Sequence, residues 1–197
     1  MRNQAVTVGA VPHKTDRLFF AIYPDSHAAA RIERLARHLC ERHRLRGKPL
    51  AIERFHITLY FLGDYPGLPQ DILAAATKAA ASVAMPPFEI SFDRVSSFRR
   101  PRKLPFVLRA GDDVATLMAF HRTLGTEMTK VGLGHCVEPQ YTPHVTLLYD
   151  DRCVADELVE PIVWTVREFV LVDSLIGRGR HVPLAHWPLR GLEPCLR

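Results

Sequence analysis

The chain has 197 residues, of which 47% are hydrophobic and 24% are charged, a composition typical of a globular domain rather than of a disordered segment. Its formal net charge of +5 favours anionic partners such as nucleotides or RNA. No apolar run approaches the roughly 18–20 residues that a membrane-spanning helix needs, so we expect no membrane partner. The four cysteines show no CxxC spacing, which argues against a zinc site or a redox pair and for reduced thiols in the cytoplasm.

The first elements predicted along the chain are a strand, a helix and a second strand. Residues 17–24, "RLFFAIYP", are short, apolar and stopped by proline, as a buried strand is. Residues 26–43 carry apolar side chains at helical spacing, and either Asp25 or Ser26 can cap that helix. Residues 55–63 are rich in β-branched and aromatic side chains and end at a glycine, which predicts the second strand.

The remaining elements are two helices and five strands. Residues 69–84 and 112–132 have the apolar spacing of helices, and Asp112 or Asp113 can cap the second one. Residues 88–95 alternate apolar and polar side chains as a half-buried strand does. The other predicted strands cover residues 104–110, 144–149, about 166–176 and about 182–187, with the turn "GRGR" between the last two.

This order places several strands next to one another in the sequence. Consecutive strands pair antiparallel, so the order predicts an α+β fold rather than a doubly wound α/β fold. We expect residues 1–15 to form a flexible N-terminal tail and residues 16–197 to form a single domain, present as a monomer.

A short pattern occurs twice in the chain, nearly half its length apart. Residues 55–62 read "FHITLYFL" and residues 143–149 read "PHVTLLY". Alternate side chains of a strand point to the same face, so each copy offers one imidazole and one hydroxyl, about 7 Å apart along the strand. Each copy follows a predicted helix. If the lobe is duplicated, the two strands lie side by side about an approximate two-fold axis.

Two imidazoles and two hydroxyls suit proton transfer at a phosphodiester. Imidazole titrates near pH 6.5, so His56 and His144 can serve as acid and base in one step. The hydroxyls of Thr58 and Thr146 can donate hydrogen bonds to oxygens that carry charge in the transition state. Two other interpretations stay open at this point: half-exposed strand residues without chemistry, and a zinc site for which the two histidines need a further ligand.

Other residues are weaker candidates. The turn "FRRPRK" at 98–103 carries Arg99, Arg100 and Arg102, which could hold RNA phosphates or simply be solvated. Tyr141 is a candidate for stacking on a base. In the first copy, strand alternation puts Phe61 on the core face and Tyr60 on the same face as His56.

The paired motifs and their surroundings resemble those of a known family, the 2H phosphoesterases. The branch that the chain resembles is the RNA 2′,3′-cyclic phosphodiesterases, also named 2′-5′ RNA ligases. The likeness runs from about residue 17 through "HITLYFLGD" and "YTPHVTLLY" to the closing "FVLVDSLIGRGR…LAHWPL".

This resemblance implies a bilobal pseudo-two-fold fold, in which antiparallel sheets line a central cleft and helices lie outside. It implies hydrolysis of RNA 2′,3′-cyclic phosphate ends to 2′-phosphomonoesters, without a metal or cofactor. His56 would be the proton donor and His144 the acceptor, with Thr58 and Thr146 on the phosphate. Ligation of 2′-5′ ends is the same chemistry in reverse and stays open. The alternatives are a cyclic phosphodiesterase for a small nucleotide and a non-catalytic module that binds RNA or a nucleotide.

Overall fold

The computed structural model describes residues 13–101, 103–111 and 114–191. Within these ranges the strands are β1 (Asp16–Ile22), β2 (Ile57–Tyr65), β3 (Phe88–Ser97), β4 (Leu104–Ala110), β5 (His144–Asp150), β6 (Glu157–Val166), β7 (Glu168–Leu175) and β8 (Arg180–Pro188). The helices are α1 (Ser26–Arg42), α2 (Gln70–Ala81) and α3 (Ala115–Lys130). One-turn 3₁₀ helices at Ile52–Arg54 and Gly134–Cys136 precede β2 and β5.

All eight of these strands form one sheet, in the order β6–β3–β4–β5–β2–β1–β7–β8, and every neighbouring pair is antiparallel. The predicted α+β class is therefore confirmed. The units β1–α1–3₁₀–β2 and β4–α3–3₁₀–β5 repeat the same succession of elements. Their last strands meet at the centre of the sheet through one residue pair, Ile57 with Val145. The two lobes thus share a continuous sheet, and each contributes one motif strand to the middle.

One strand was not predicted from the sequence. β6 lies at the edge of the sheet, beside β3. Pro161 interrupts its pattern, and only Ile162, Trp164 and Val166 in its second half alternate as buried residues. An edge position tolerates proline because one side of the strand has no partner to receive an N–H. The predicted strand at 166–176 is consequently shorter and begins at Glu168.

The predicted ends of the chain and of one helix fall partly outside the described residues. The predicted tail, 1–15, is described only from His13, and Thr15 pairs through its backbone with Tyr65 and Ile176. Backbone pairing therefore begins at least one residue before the predicted domain boundary. The predicted caps of α3, Asp112 and Asp113, also lie outside the described residues.

The helices cover one face of the sheet and enclose the core. The side chain of Asp25 accepts a hydrogen bond from the Ala28 backbone N–H at 2.8 Å, so this predicted cap of α1 is confirmed. α1 packs against β5 and β6, and Phe120 of α3 packs against Phe169 of β7 with ring centroids 5.2 Å apart. Among the described helices, none is long and apolar enough to cross a membrane.

Both motif strands carry a β-bulge at the same position. In β2, Thr58 and Tyr60 face consecutive residues of β1, so Leu59 is the extra residue. In β5, Thr146 and Leu148 likewise face consecutive residues of β4, and Leu147 is extra. The repeat therefore includes an irregularity of the backbone as well as the sequence pattern.

The bulge changes which side chains face the core. Simple alternation put Tyr60 on the face of His56 and Phe61 in the core, and both assignments are wrong. Tyr60 is buried at 4% exposure, whereas Phe61 is 46% exposed. The extra residue Leu59 reverses the alternation from that point onward. In the second copy Tyr149, three residues after its threonine as Phe61 is after Thr58, is also 46% exposed.

Asp150 fixes the end of β5 to the segment that leads toward β2. Its buried carboxylate accepts backbone N–H bonds from Arg46 at 2.5 Å, Gly47 at 2.6 Å and Arg152 at 2.8 Å. Burial alone would raise the pKa of Asp150, but the backbone N–H bonds outweigh it and lower the pKa, which keeps the group ionised. Gly47 has no room for a side chain, because a Cβ would lie 2.1 Å from the Tyr149 carbonyl oxygen.

Replacing Asp150 with alanine should lower the free energy of unfolding by about 3 kcal/mol, because buried backbone donors lose their acceptor. Urea denaturation should show a lower midpoint with an unchanged slope. The matched control is Asp151→Ala, an exposed neighbour, which should change stability by less than about 0.5 kcal/mol. Equal effects of the two substitutions would contradict this role of Asp150.

Candidate active site

A cavity of about 480 Å³ lies where β2 and β5 meet. Its lining includes His56, Thr58, His144 and Thr146, the four residues of the two motifs. The structure therefore brings together the residues that the sequence separates by nearly half the chain. They meet because β2 and β5 are neighbours at the centre of the sheet.

The two histidines are held in the same way. Nδ1 of His56 lies 2.7 Å from the Arg54 carbonyl oxygen, and Nδ1 of His144 lies 2.7 Å from the Thr142 carbonyl oxygen. A carbonyl only accepts, so each Nδ1 carries its proton and donates it. In each neutral ring the free nitrogen is then Nε2, which can accept a proton from a ligand or return one. Each acceptor is the backbone two residues before its histidine.

Burial makes both rings hard to protonate. It lowers the pKa of His56 to about 4, outweighing the hydrogen bond to Arg54, which acts in the opposite direction. The charge that His181 and His144 carry when protonated, and the charge of Arg54, lower the pKa of His56 further. Burial also lowers the pKa of His144, with a smaller contribution from Arg100. Both rings are thus neutral in the empty cavity at neutral pH.

The two threonine hydroxyls are available to a ligand. Among the described residues, neither Thr58 nor Thr146 uses its hydroxyl in a hydrogen bond to another side chain or to the backbone. Both are partly exposed within the cavity lining. A hydroxyl rotates freely, so each can donate to an oxygen held between the histidines.

The two histidines have different neighbours. The ring of His56 stacks on Phe19 with centroids 5.0 Å apart and meets the edge of His181 at 4.9 Å. The ring of His144 instead contacts Phe98 at 4.9 Å. The approximate symmetry of the backbone therefore does not extend to the side chains around the two imidazoles.

The candidate RNA contacts fall in different places. Arg100 lines the cavity, whereas Arg99 is exposed and does not line it. Arg102 lies outside the described residues. Tyr141 lines the cavity, but one face of its ring is covered by His121, with the centroids 3.7 Å apart. Its role and that of the arginines as RNA contacts stay predictions.

Several cavity residues were not found from the sequence. The bulge turns Phe61 and Tyr149 into the cavity. Arg17 lies over the Phe61 ring at 5.6 Å from its centroid. His181 is brought in by the last hairpin, although its position in the sequence gave no sign of a role. A sequence pattern could have found these residues only if the bulge and the strand order were already known.

The charge of the lining suits an anion. Three arginines and one acidic residue, Glu138, line the cavity. Arg17 is paired with Asp64 at 2.8 Å, and the described residues include no carboxylate paired with Arg54 or Arg100. Within the described part of the chain, no group of three His, Cys, Asp or Glu side chains could hold a metal ion. The further ligand that the zinc alternative needs is not found there.

Comparison with known proteins finds similarity to the RNA 2′,3′-cyclic phosphodiesterase of Escherichia coli and to solved structures of E. coli LigT. The chain is 28% identical over 147 residues to the RNA 2′,3′-cyclic phosphodiesterase of Escherichia coli (strain K12), covering 73% of this chain and 80% of that protein. A solved structure of E. coli LigT complexed with 3′-AMP is 26% identical, has a TM-score of 0.68, and matches over 89% of this chain and 99% of LigT.

A third relative shows the fold alone. The protein TT0787 of Thermus thermophilus has a TM-score of 0.70 at 21% identity, over 90% of this chain and 100% of that one. The model of the 2′-5′ RNA ligase superfamily matches residues 23–177, which include both motifs and all of the cavity-lining residues except Arg17, Phe19 and His181. With this match over most of its length, and with the two motifs joined in one cleft, the chain belongs to the 2′-5′ RNA ligase superfamily.

Proposed function

We propose that this protein hydrolyses RNA ends that carry a 2′,3′-cyclic phosphate, without a metal ion, and releases a 2′-phosphomonoester. The observation that carries the proposal is the matched pair of imidazoles. His56 and His144 line one cavity, and each is fixed by a backbone carbonyl that leaves Nε2 free. An acid and a base of the same kind on two sides of one site are what in-line displacement at phosphorus requires.

The proposed reaction uses this chain's own side chains. His144 Nε2 takes a proton from water, and the water oxygen forms a bond to phosphorus. The bond from phosphorus to the ribose 3′ oxygen breaks, and His56 Nε2–H gives its proton to that oxygen. Thr58 and Thr146 donate hydrogen bonds to the non-bridging oxygens, where negative charge increases. With a ribose 5′-hydroxyl in place of water as the nucleophile, the same breaking of the bond to the 3′ oxygen would leave a 2′-5′ linkage.

The low pKa of His56 bears on how it becomes the acid. A ring with a pKa of about 4 is neutral in the empty site at pH 7. A bound phosphate brings negative charge beside it and favours the protonated ring. Binding of the anionic substrate would therefore supply the condition under which His56 holds its proton.

Support for the substrate class comes from the relatives and from the cavity. One relative is named an RNA 2′,3′-cyclic phosphodiesterase, and LigT has been solved with 3′-AMP. A cavity of about 480 Å³ is of a size for a nucleotide, and three arginines line it, two of them without a carboxylate partner among the described residues. A free cyclic nucleotide would use the same site, so the small-nucleotide alternative differs in substrate length and not in mechanism.

If both histidines transfer protons, His56→Ala and His144→Ala should each lower kcat by at least about 10². The double variant should fall little further, because the two residues act in one step. Thr58→Ala and Thr146→Ala should lower kcat by about 10–10³ through loss of a donor to the charged oxygens. Ion-exchange separation of the product from an oligonucleotide with a cyclic phosphate end measures both the rate and the isomer.

The control is His186→Ala, an exposed histidine that faces Glu168 outside the cavity, which should retain turnover. Wild-type turnover in either histidine variant, with circular dichroism unchanged, would rule out the paired mechanism. The same assays run in EDTA address the metal. Activity that EDTA abolishes and zinc restores would favour a metal site instead.

The pH dependence should also reflect the buried pair. The free enzyme needs one neutral and one protonated ring, and both pKa values lie below 6.5. The kcat/KM profile should therefore be bell-shaped with its maximum on the acid side of pH 6.5, falling about tenfold per pH unit far above it. The kcat profile should lie at higher pH, because bound phosphate raises both pKa values. A maximum of kcat/KM above pH 7.5 would contradict this account.

A further inference from the structure

Two buried nitrogen atoms beside His56 have no hydrogen-bond partner among the described residues. Nε of Arg54 and Nδ1 of His181 are buried, and neither forms a hydrogen bond within the described residues. Both side chains line the same cavity as His56. A buried polar atom without a partner costs free energy, so two of them at one place indicate that a ligand completes their hydrogen bonds.

The two side chains lie close to one another. Arg54 reaches the β7–β8 turn, where its Nη1 would lie 3.9 Å from a Cβ on Gly179, two residues before His181. The charge of Arg54 contributes to lowering the pKa of His181, although burial is the larger cause. No carboxylate forms an ion pair with Arg54 among the described residues, in contrast to Arg17, which Asp64 holds at 2.8 Å. Arg54 therefore brings to the cavity a positive charge that no carboxylate of the described residues pairs with, and each of the two side chains leaves a buried nitrogen without a partner.

We propose that Arg54 and His181 form a second anion subsite, which binds the phosphate on the 5′ oxygen of the terminal nucleotide. This inference rests on the proposed function, in which the cyclic phosphate lies between His56 and His144. In RNA the 5′ phosphate is the next anion along the chain, one ribose away from the reacting phosphorus. The His181 ring contacts the His56 ring edge-on, with the two centroids 4.9 Å apart. The subsite would make the protein prefer an RNA end, or a nucleotide with a 5′ phosphate, over a nucleoside cyclic phosphate.

The surroundings of the two histidines favour this end of the cavity for the upstream phosphate. The His144 side offers Phe98, whose ring is 4.9 Å from the imidazole, and Arg100, which is exposed to solvent. An exposed arginine is already solvated, so binding a phosphate stabilises it little. An arginine whose buried N–H has no partner gains more free energy from the same contact. The asymmetry would fix the direction of the RNA strand, with the 5′ side over His56.

The test compares two substrates that differ only in whether they carry a phosphate on the 5′ oxygen. Adenosine 2′,3′-cyclic phosphate and its 5′-phosphorylated form are assayed with wild type, and the ratio of their kcat/KM values is taken. Wild type should prefer the 5′-phosphorylated substrate by about tenfold or more, as expected for a charge-assisted hydrogen bond. In Arg54→Gln the ratio should fall to about 1–3, with Arg54→Lys in between because it keeps the charge.

Two further variants sharpen the comparison. His181→Phe keeps a ring against His56 but removes both nitrogens, and it should lower the ratio about threefold. Arg100→Gln, the matched substitution on the His144 side, should leave the ratio unchanged. Loss of the ratio in Arg100→Gln but not in Arg54→Gln would overturn the proposal.

A binding measurement makes the test independent of turnover. Calorimetry should show that wild type binds adenosine 2′,5′-bisphosphate about tenfold more tightly than adenosine 2′-phosphate, and that Arg54→Gln loses the difference. If both cyclic substrates are hydrolysed with equal kcat/KM, the subsite is wrong and the proposed function stands. If neither is hydrolysed, the proposed function fails, and the calorimetric difference alone decides whether Arg54 and His181 bind an anion.

Discussion

The site depends on one contact at the centre of the sheet, the antiparallel pairing of Ile57 with Val145. These residues immediately follow the two histidines, so their pairing sets the imidazoles on either side of one cavity. Each lobe then fixes its own ring through a backbone carbonyl two residues upstream. A backbone carbonyl is present whatever side chain its residue carries. It fixes the tautomer of the histidine without adding a charge to the site. The duplicated bulge after each threonine completes the arrangement.

Burial of the two imidazoles determines their protonation state, because it raises the free energy of the charged form of each ring. Removing a ring from water disfavours its charged form, and both pKa values fall for this reason. The cavity then holds two neutral rings beside Arg54 and Arg100, whose positive charges no carboxylate of the described residues pairs with. In the proposed mechanism, the negative charge of a bound phosphate favours the protonated His56 ring, so substrate binding and proton placement occur together.

Much of this arrangement could be predicted from the sequence, and the remainder could not for physical reasons. The repeated His and Thr, the cap at Asp25 and the α+β order all follow from local patterns. The side-chain directions after Thr58 did not, because a bulge is invisible to a rule of strict alternation and Phe61 was consequently assigned to the core. β6 was missed because Pro161 masks its pattern at an edge where proline is tolerated. His181 reaches the cavity only through pairing across the last hairpin.

The central claim is that the two histidines divide two proton transfers at one phosphorus. It is tested most directly with a substrate in which sulfur replaces the 3′ oxygen of the cyclic phosphate, since a thiolate leaves without a proton. The account predicts that the defect of His56→Ala, at least about 10² on the oxygen substrate, shrinks to less than about 10 on the sulfur substrate. The defect of His144→Ala should remain. Equal defects of His56→Ala on the two substrates would contradict its assignment as the acid, and rescue of neither variant would contradict the division of roles.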